Sequence, residues 1–468
     1  MALVFDEFEG GRSGGRPGRH GRARRGGQRD RSQGSGPQQQ GPAAHKVALF
    51  HSEGGAGRAA RRRPTKVPLP LVKKIVVRRS FAFKITLLAL AWLVLAIACE
   101  RVPAGTWWPA VFGALTVPGA LLLTAALALY WLRRNWRVAL LPAVALALCW
   151  PHVQRGLALH WAGARANFDQ GTATNQGPNP SFLPEAVPGA LRLLSANVRI
   201  FNVYAALRDP DFASSKGFIT WLAESPADVL CLQEFYNEPR GSRENGQVFR
   251  SAERLGPGSG RHGFVSTSLT NRIGAEFGLA IFSRFPIVRR GTIPFGKLSQ
   301  NHAMWVDLAR PAAPGRPAAD TIRVFNLHLQ SMSLAEGDIV DASTTKAGLR
   351  DKAPGLLRRF RNGAVARARQ TDTVLARVRR SPYPVLLAGD FNDLPYSYPY
   401  DQFAGALTNA WAATGLGLGA TYHGRLPGLR IDQQFAGPRW QVLGCRVHRE
   451  ILWSDHFPVE GLYRLAPK

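Results

Sequence analysis

Six places in this sequence end or interrupt an apolar run with a residue able to bind a cation or move a proton. LLSANVRIF carries Asn197, DVLCLQEF carries Glu234, and VFNLHLQS carries His328. PVLLAGDFND carries Asp390 and Asn392, LRIDQQF carries Asp432, and LWSDHFPV carries Asp455 and His456. Read as strands, the first five runs put these side chains at carboxyl ends, where α/β sheets open a crevice for ligands. Taken singly, each residue has an ordinary reading. Asn197 suits a turn, Glu234 an ion pair with an arginine, Asp390 an Asx-turn, and His328 a satisfied core position. Together they form a set of carboxylates and amides with two imidazoles. Hard oxygen donors of this kind suit Mg²⁺ or Mn²⁺, and the imidazoles suit proton transfer. The four cysteines, Cys99, Cys149, Cys231 and Cys445, have neither a zinc spacing nor a disulfide pattern.

The elements that must position this set alternate short β-rich runs with helices. Strands are expected at Leu191–Asn197, Asp228–Glu234, Phe277–Ser283, Ala303–Leu308, Ile322–His328, Pro384–Asp390 and Ile431–Ala436, and helices near Lys216–Glu224 and Asn362–Arg380. Many strands with few long helices imply an α/β domain, and no short-period repeat suggests a solenoid. The stretch Ser331–Arg361, with Glu336, Asp338 and Asp341, reads as a long loop: a substrate lid, or an excursion without a role.

In order and content, the motifs from about residue 190 to 465 resemble the endonuclease/exonuclease/phosphatase superfamily. That superfamily includes deoxyribonucleases, abasic-site endonucleases, sphingomyelinases and inositol-polyphosphate phosphatases. GDFN followed by SDH carries most of the resemblance. It implies a four-layer α/β sandwich, two β-sheets face to face with helices outside. It also implies that Glu234 holds the metal with Asn197 nearby and Asp455 in support. Asp390 and Asn392 would position water and phosphate. His456, oriented by Asp432, would activate that water or stabilise the pentacovalent phosphorus, and His328 would contact the phosphate from the other side. After Asp432 the chain reads Gln433-Gln434-Phe435, where the family usually has an aromatic residue or His and then an aliphatic one, so a less buried strand is expected there. Arg199, in Asn-Val-Arg, suits either a phosphate contact or a structural ion pair.

The rest of the chain concerns placement. Four parts are expected: a disordered basic tail (1–79), a membrane region (80–152), a stalk (153–187) and the catalytic domain (188–468). The net charge is +29, and residues 1–79 hold 18 Lys/Arg against 5 Asp/Glu, which favours anionic partners such as lipid headgroups or nucleic acid. Residues 1–66 are too poor in apolar side chains to repay their ordering entropy. Phe81–Cys99, Trp107–Trp131 and the shorter Val138–Trp150 are apolar enough to read as transmembrane segments, the third with a re-entrant alternative. Lys73, Lys74, Arg78 and Arg79 precede the first, and Arg133, Arg134 and Arg137 lie between the second and third. With basic residues inside, three spans give a multi-pass plasma (inner) membrane protein with an extracytoplasmic catalytic domain. The expected activity is hydrolysis of phosphodiesters, nuclease-like. The alternatives are a lipid-headgroup or inositol-phosphate substrate, or a binding protein with a degenerate domain. The partners implied are the substrate and the lipid bilayer, with no obligate protein partner evident.

Overall fold

The apolar runs pair into two six-stranded sheets of the same design. One has the order β13-β14-β2-β3-β5-β4, from β2 (Ala190–Asn197), β3 (Val229–Asn237), β4 (His262–Thr270), β5 (Glu276–Ser283), β13 (Trp440–Val447) and β14 (Val459–Leu465). The other has the order β10-β12-β9-β8-β7-β6, from β6 (Ile287–Pro294), β7 (His302–Arg310), β8 (Asp320–His328), β9 (Val385–Asp390), β10 (Thr408–Asn409) and β12 (Asp432–Ala436). Each sheet contains one parallel pair, β2/β3 and β8/β9, in otherwise antiparallel surroundings. This computed structural model describes residues 69–102, 107–160, 183, 189–204, 206–296, 299–311, 320–331, 346–424 and 428–466. Residues 1–68 of the expected disordered tail (1–79), most of the expected stalk, and residues Glu336, Asp338 and Asp341 lie outside the described residues, while residues 69–79 of that tail are helical.

Three apolar layers explain why the strands are apolar on both faces. Leu193, Cys231, Ile281, Val306, Val324 and Leu386 fill the space between the sheets. On the outer face of the first sheet, Leu230 and Phe235 pack on Phe218, Ile219 and Leu222 of α5 (Ala213–Glu224). On the outer face of the second, Phe325 and Leu387 pack on Val374, Leu375 and Phe403, from α7 (Lys346–Arg379) and α8 (Tyr398–Ala404). The result is the expected four-layer sandwich.

Polar side chains cross the apolar middle layer with their partners in place. Asn326 Nδ2 of β8 donates to the carbonyls of Leu232 and Ala280 in the opposite sheet, at 2.9 and 3.0 Å, and Gln233 Nε2 donates to Asn326 Oδ1 at 2.6 Å. Gln434 of β12 reaches the other way, donating to Val459 O at 2.7 Å and accepting from Tyr463 Oη at 2.6 Å. The expected loosening after Asp432 is therefore corrected. β12 is buried throughout, because Gln434 finds partners across the sandwich and Gln433 finds them within its own sheet, donating to Arg430 O and accepting from Asn409 Nδ2.

Two more sequence expectations change. The stretch Ser331–Arg361 is not a loop over its second half: α7 begins at Lys346 and runs unbroken past Pro354 and Gly355. The expected stalk does not begin at 153. Residues 150–156 are helical, and Ala158–Leu159 (β1) pairs with Leu416–Gly417 (β11).

Four helices precede the sandwich: α1 (Leu69–Glu100), α2 (Trp107–Arg134), α3 (Trp136–Leu148) and α4 (Trp150–Gly156). Phe81–Glu100 and Val111–Arg134 are long and apolar enough to cross a membrane; α3 and α4 together pass that test only as a pair bent by 64°. Trp131 Nε1 of α2 donates to Thr86 Oγ1 of α1 at 2.8 Å, a bond within an otherwise apolar contact. Leu88, Val94, Leu122 and Leu129 point outward, an apolar exterior that a soluble surface would not favour. Phe81–Lys468 forms one compact unit.

Candidate active site

The parallel pairs bring the chemistry together. Parallel neighbours end at the same edge of a sheet, so β2 and β3 deliver Asn197 and Glu234 side by side, and β8 and β9 deliver His328 and Asp390 as register partners. Two sites differ from the sequence expectation. Asp432 is the first residue of β12, not a carboxyl end, yet it is the register partner of Asp390 because β12 runs antiparallel to β9. Glu234 lies inside β3, where the ladder slips between Leu232 and Phe235 and Glu234 takes φ +50°. A β-bulge of this kind re-aims a side chain out of the strand's alternation.

Local backbone supports the same edge. Gly389 has φ +148°, and a Cβ there would lie 2.0 Å from Leu327 O, so the glycine of GDFN is required by close approach of β8. Asn392 sits at φ +49°, a region that asparagine tolerates better than most residues. After Asn197 the chain turns through Arg199, Ile200, Phe201 and Asn202, all with φ between +47° and +53°. Left-handed residues in series are costly, and such strain concentrates at functional sites. Here the turn carries Arg199 to Asp455, Nε to Oδ2 3.4 Å.

Asp390 is the hub, and it is buried. Its Oδ2 accepts from Asn197 Nδ2 at 3.1 Å and lies 3.6 Å from His328 Nε2 and 3.9 Å from His456 Nε2. Its Oδ1 accepts from the Asn392 backbone N–H at 2.8 Å. Asn197 Nδ2 also lies 3.3 Å from Glu234 Oε1. His456 Nδ1 donates to Asp432 Oδ2 at 2.9 Å, which leaves Nε2 facing Asp390. Burial alone would lower the His456 pKa, but the carboxylates of Asp432 and Asp390 outweigh it and raise the imidazole to about 10. All nine residues expected from the sequence are thus linked by contacts at one edge of the sandwich, Arg199 and Asp455 the more exposed of them.

Some contributors were not singled out beforehand. Ser454 Oγ donates to Asn197 O at 2.8 Å and accepts from His456 N at 3.2 Å, joining the SDH loop to β2. Tyr422 packs edge-on against the His456 ring at 5.0 Å. Thr421 Oγ1 accepts from Asp432 N at 3.1 Å. Arg367 of α7 donates to Asp393 Oδ2 at 2.7 Å. Ser454 was open to notice, lying within SDH; the others come from segments whose sequence carries no comparable pattern.

The donor set fits a hard divalent cation. Ligand atoms of Asp390, Asp432 and His456 lie within 4.8 Å of one another, Asp432 Oδ1 is buried without a hydrogen-bond partner, and Glu234 adds a carboxylate oxygen 3.3 Å from the Asn197 amide nitrogen that also bonds Asp390. No thiolate takes part, which separates the set from structural zinc.

The two-sheet sandwich gathers these residues at the ends of its parallel pairs. Residues 194–456 match the endonuclease/exonuclease/phosphatase family, and the chain belongs to it, which makes it a hydrolase acting on phosphoester bonds. Residues 78–156 match a domain of unknown function, DUF8431. No curated protein matches the chain. Among solved structures, an endonuclease/exonuclease/phosphatase from Beutenbergia cavernae is 21% identical, with 59% of this chain and 72% of that one covered at TM-score 0.41. The human Nocturnin catalytic domain with bound sulfate is 16% identical, with 60% and 96% covered at 0.41. A mannosyl-6-phosphatase from Bacteroides thetaiotaomicron is 18% identical, with 58% and 99% covered at 0.39.

Proposed function

We propose that this chain is a membrane-anchored, Mg²⁺- or Mn²⁺-dependent phosphoesterase that hydrolyses phosphodiester bonds by attack of water. The observation that carries the proposal is the convergence of Asn197, His328, Asn392 and His456 on the two oxygens of Asp390, with Glu234 next to Asn197.

A phosphodiester is anionic and repels hydroxide, so the site must neutralise charge on its oxygens. A divalent cation held by Glu234, Asn197 and Asp455 would act there as a Lewis acid and template. Asp390, fixed by the Asn392 and Asn197 N–H groups, orients the attacking water and accepts its proton. Asn392 holds the phosphate beside it. His456, kept protonated by Asp432 and Asp390, hydrogen-bonds through Nε2–H to a phosphoryl oxygen as negative charge builds on the pentacovalent phosphorus. The P–O bond to the leaving group then breaks, releasing an alkoxide that takes its proton from solvent. His328 contacts the phosphate from the opposite wall. General acid–base help contributes about 10²–10⁴-fold, so preorganised charge must supply most of the rest. His456→Ala and Asp390→Ala should each abolish hydrolysis of a chromogenic phosphodiester while the fold survives. Normal turnover by both purified variants would remove the proposal.

A second reading, a phosphoester carried by the bilayer itself, has one observation behind it. Tyr396 follows Asn392 by four residues and packs among Leu93, Ala96, Val117, Ala120 and Leu121 of the apolar helices. Four residues span at most about 14 Å, which keeps the site close to the surface of any membrane those helices cross. Assaying the full chain with DNA, RNA, sphingomyelin vesicles and soluble inositol phosphates separates the readings.

The same proposal includes the topology: amino terminus inside, three crossings, catalytic domain outside. The basic residues before α1's apolar part and between α2 and α3 support it. A reporter fused after Lys468 should be active outside the cytoplasm, and activity inside would mean that the bent pair does not cross.

A further inference from the structure

The segment of unknown function ends at Gly156, and its last two residues touch the catalytic domain close to the active-site loop. Arg155 of α4 bridges two carboxylates. Nη1 lies 3.1 Å from Glu100 Oε2 at the end of α1, and Nη2 lies 2.8 Å from Asp401 Oδ1 in α8. Glu100 is fully buried, Arg155 and Asp401 nearly so. The Arg155 guanidinium also sits 5.5 Å from the centre of the Tyr400 ring. One residue on, a Cβ at Gly156 would lie 2.1 Å from Tyr396 Oη, so the tyrosine has its place only because position 156 lacks a side chain.

We propose that Arg155 and Gly156 are positioning residues for the catalytic loop, so that the apolar helices are part of the active site's scaffold and not only its anchor. The loop from Phe391 to Ser397 carries Asn392 and is held at three places. Its start is fixed by β9. Its middle is fixed by Asp393, which accepts from Arg367 at 2.7 Å. Its end enters α8, whose Asp401 and Tyr400 are held by Arg155 and whose preceding Tyr396 is wedged against Gly156. Seven residues between fixed ends leave little slack, so a shift of α8 is passed to Asn392 and from there to Asp390 Oδ1. Burying an ion triad such as Glu100–Arg155–Asp401 gains little stability over an apolar contact. It does fix one register of α4 on α8, and removing the arginine leaves Glu100 buried with only His152 beside it, Nε2 3.5 Å from Oε2.

The test uses the full chain in detergent micelles and compares wild type with Arg155→Gln, Arg155→Lys and Gly156→Val by hydrogen exchange and by kinetics on soluble bis(4-nitrophenyl) phosphate. In Arg155→Gln and Gly156→Val, amides of residues 391–401 should exchange about tenfold faster or more while those of β7 and β8 keep their wild-type rates. A displacement near 1 Å costs on the order of 10²-fold in rate, so kcat should fall by tenfold or more with KM within about twofold. Arg155→Lys, which keeps the charge, should recover part of both. Wild-type exchange in 391–401 for both disruptive variants overturns the inference. So does exchange accelerated equally in β7 and β8, which would mark general destabilisation. The kinetic arm alone rests on the proposed function. A wild-type chain inactive on every phosphoester would sink that function, while the exchange data would still decide whether α4 holds the loop.

Discussion

His456 Nδ1 donates to Asp432 Oδ2 at 2.9 Å although 24 residues and a change of sheet separate the two. The pair bridges the sandwich at its active edge, since Asp432 opens β12 in one sheet and His456 lies just before β14 in the other. A carboxylate on Nδ1 fixes the tautomer and turns Nε2 toward the substrate side. With Asp432 and Asp390 together overcoming the effect of burial, the imidazole titrates at about 10. In the chelated protein, Asp432→Asn should move that midpoint down toward 6.5, followed by NMR of histidine-labelled chain. It should also lower kcat by about 10²-fold or more. An unmoved midpoint would mean that Asp390, and not Asp432, sets the charge on His456.

Chelation should stop turnover, and Mg²⁺ or Mn²⁺ should restore it. Glu234→Gln keeps the shape of the bulge and removes one hard anionic ligand. Calorimetric titration should then show metal binding weakened by tenfold or more, a loss of at least about 1.4 kcal/mol. Equal affinity in the variant and wild type would move the cation away from Glu234, toward the Asp390, Asp432 and His456 group.

How much of this could be read beforehand depends on how each element buries itself. Strands covered on both faces, such as VLCLQEF and VLLAGD, are continuous apolar runs and stand out. The outer strands β4 and β6 do not, because an edge strand with a wet face mixes His262, Ser268, Arg289 and Arg290 into its pattern. β13 and β14 were missed as well, β14 because Glu460 and Gly461 break its run. Glu460 is nevertheless buried, held by His448 and Arg192. The early start of α7 was hidden by Pro354, Gly355 and a strongly polar composition. Site residues were easier, since topology returns distant strand ends to one edge wherever the parallel pairs lie. What the sequence could not show was the bulge that turns Glu234 inward, or the contact of Tyr396 with the apolar helices. Both depend on backbone placement and not on residue type.

The glutamine that looked out of place in β12 is expected to matter for stability. Gln434 is buried, and its amide serves Val459 O and Tyr463 Oη, with a longer contact to Leu193 O. Gln434→Leu removes the amide and with it these hydrogen bonds, at a cost of about 1–3 kcal/mol for each group left unsatisfied. A destabilisation of about 2–4 kcal/mol overall follows, visible as a lower thermal midpoint with the secondary structure intact. Since Gln434 does not touch the site residues, kcat below the melting range should stay within twofold of wild type. A variant as stable as wild type would mean that the inter-sheet amides do not contribute to folding.

The buried charges at the start of β14 should set a pH window for stability. His448 Nε2 lies 3.0 Å from Glu460 Oε2 and its Nδ1 lies 2.9 Å from Glu450 Oε1, with Arg192 on the other oxygen of Glu460. Burial opposes charge on all three titrating groups, but the pairing wins. Glu460 and Glu450 are held below their ordinary value of 4.5 and His448 above its ordinary 6.5. For the two glutamates, the stabilisation is present above 4.5 and is lost as pH falls through their folded values. For the histidine it is complete below 6.5 and is lost as pH rises through its folded value. The network therefore contributes most between 4.5 and 6.5. Thermal midpoints of the full chain recorded across pH should fall on both sides of that window. Glu460→Gln should lower the midpoint inside the window and flatten its acid limb, because a neutral amide has no proton to take up. A variant whose acid limb is as steep as wild type would place the responsible carboxylates elsewhere.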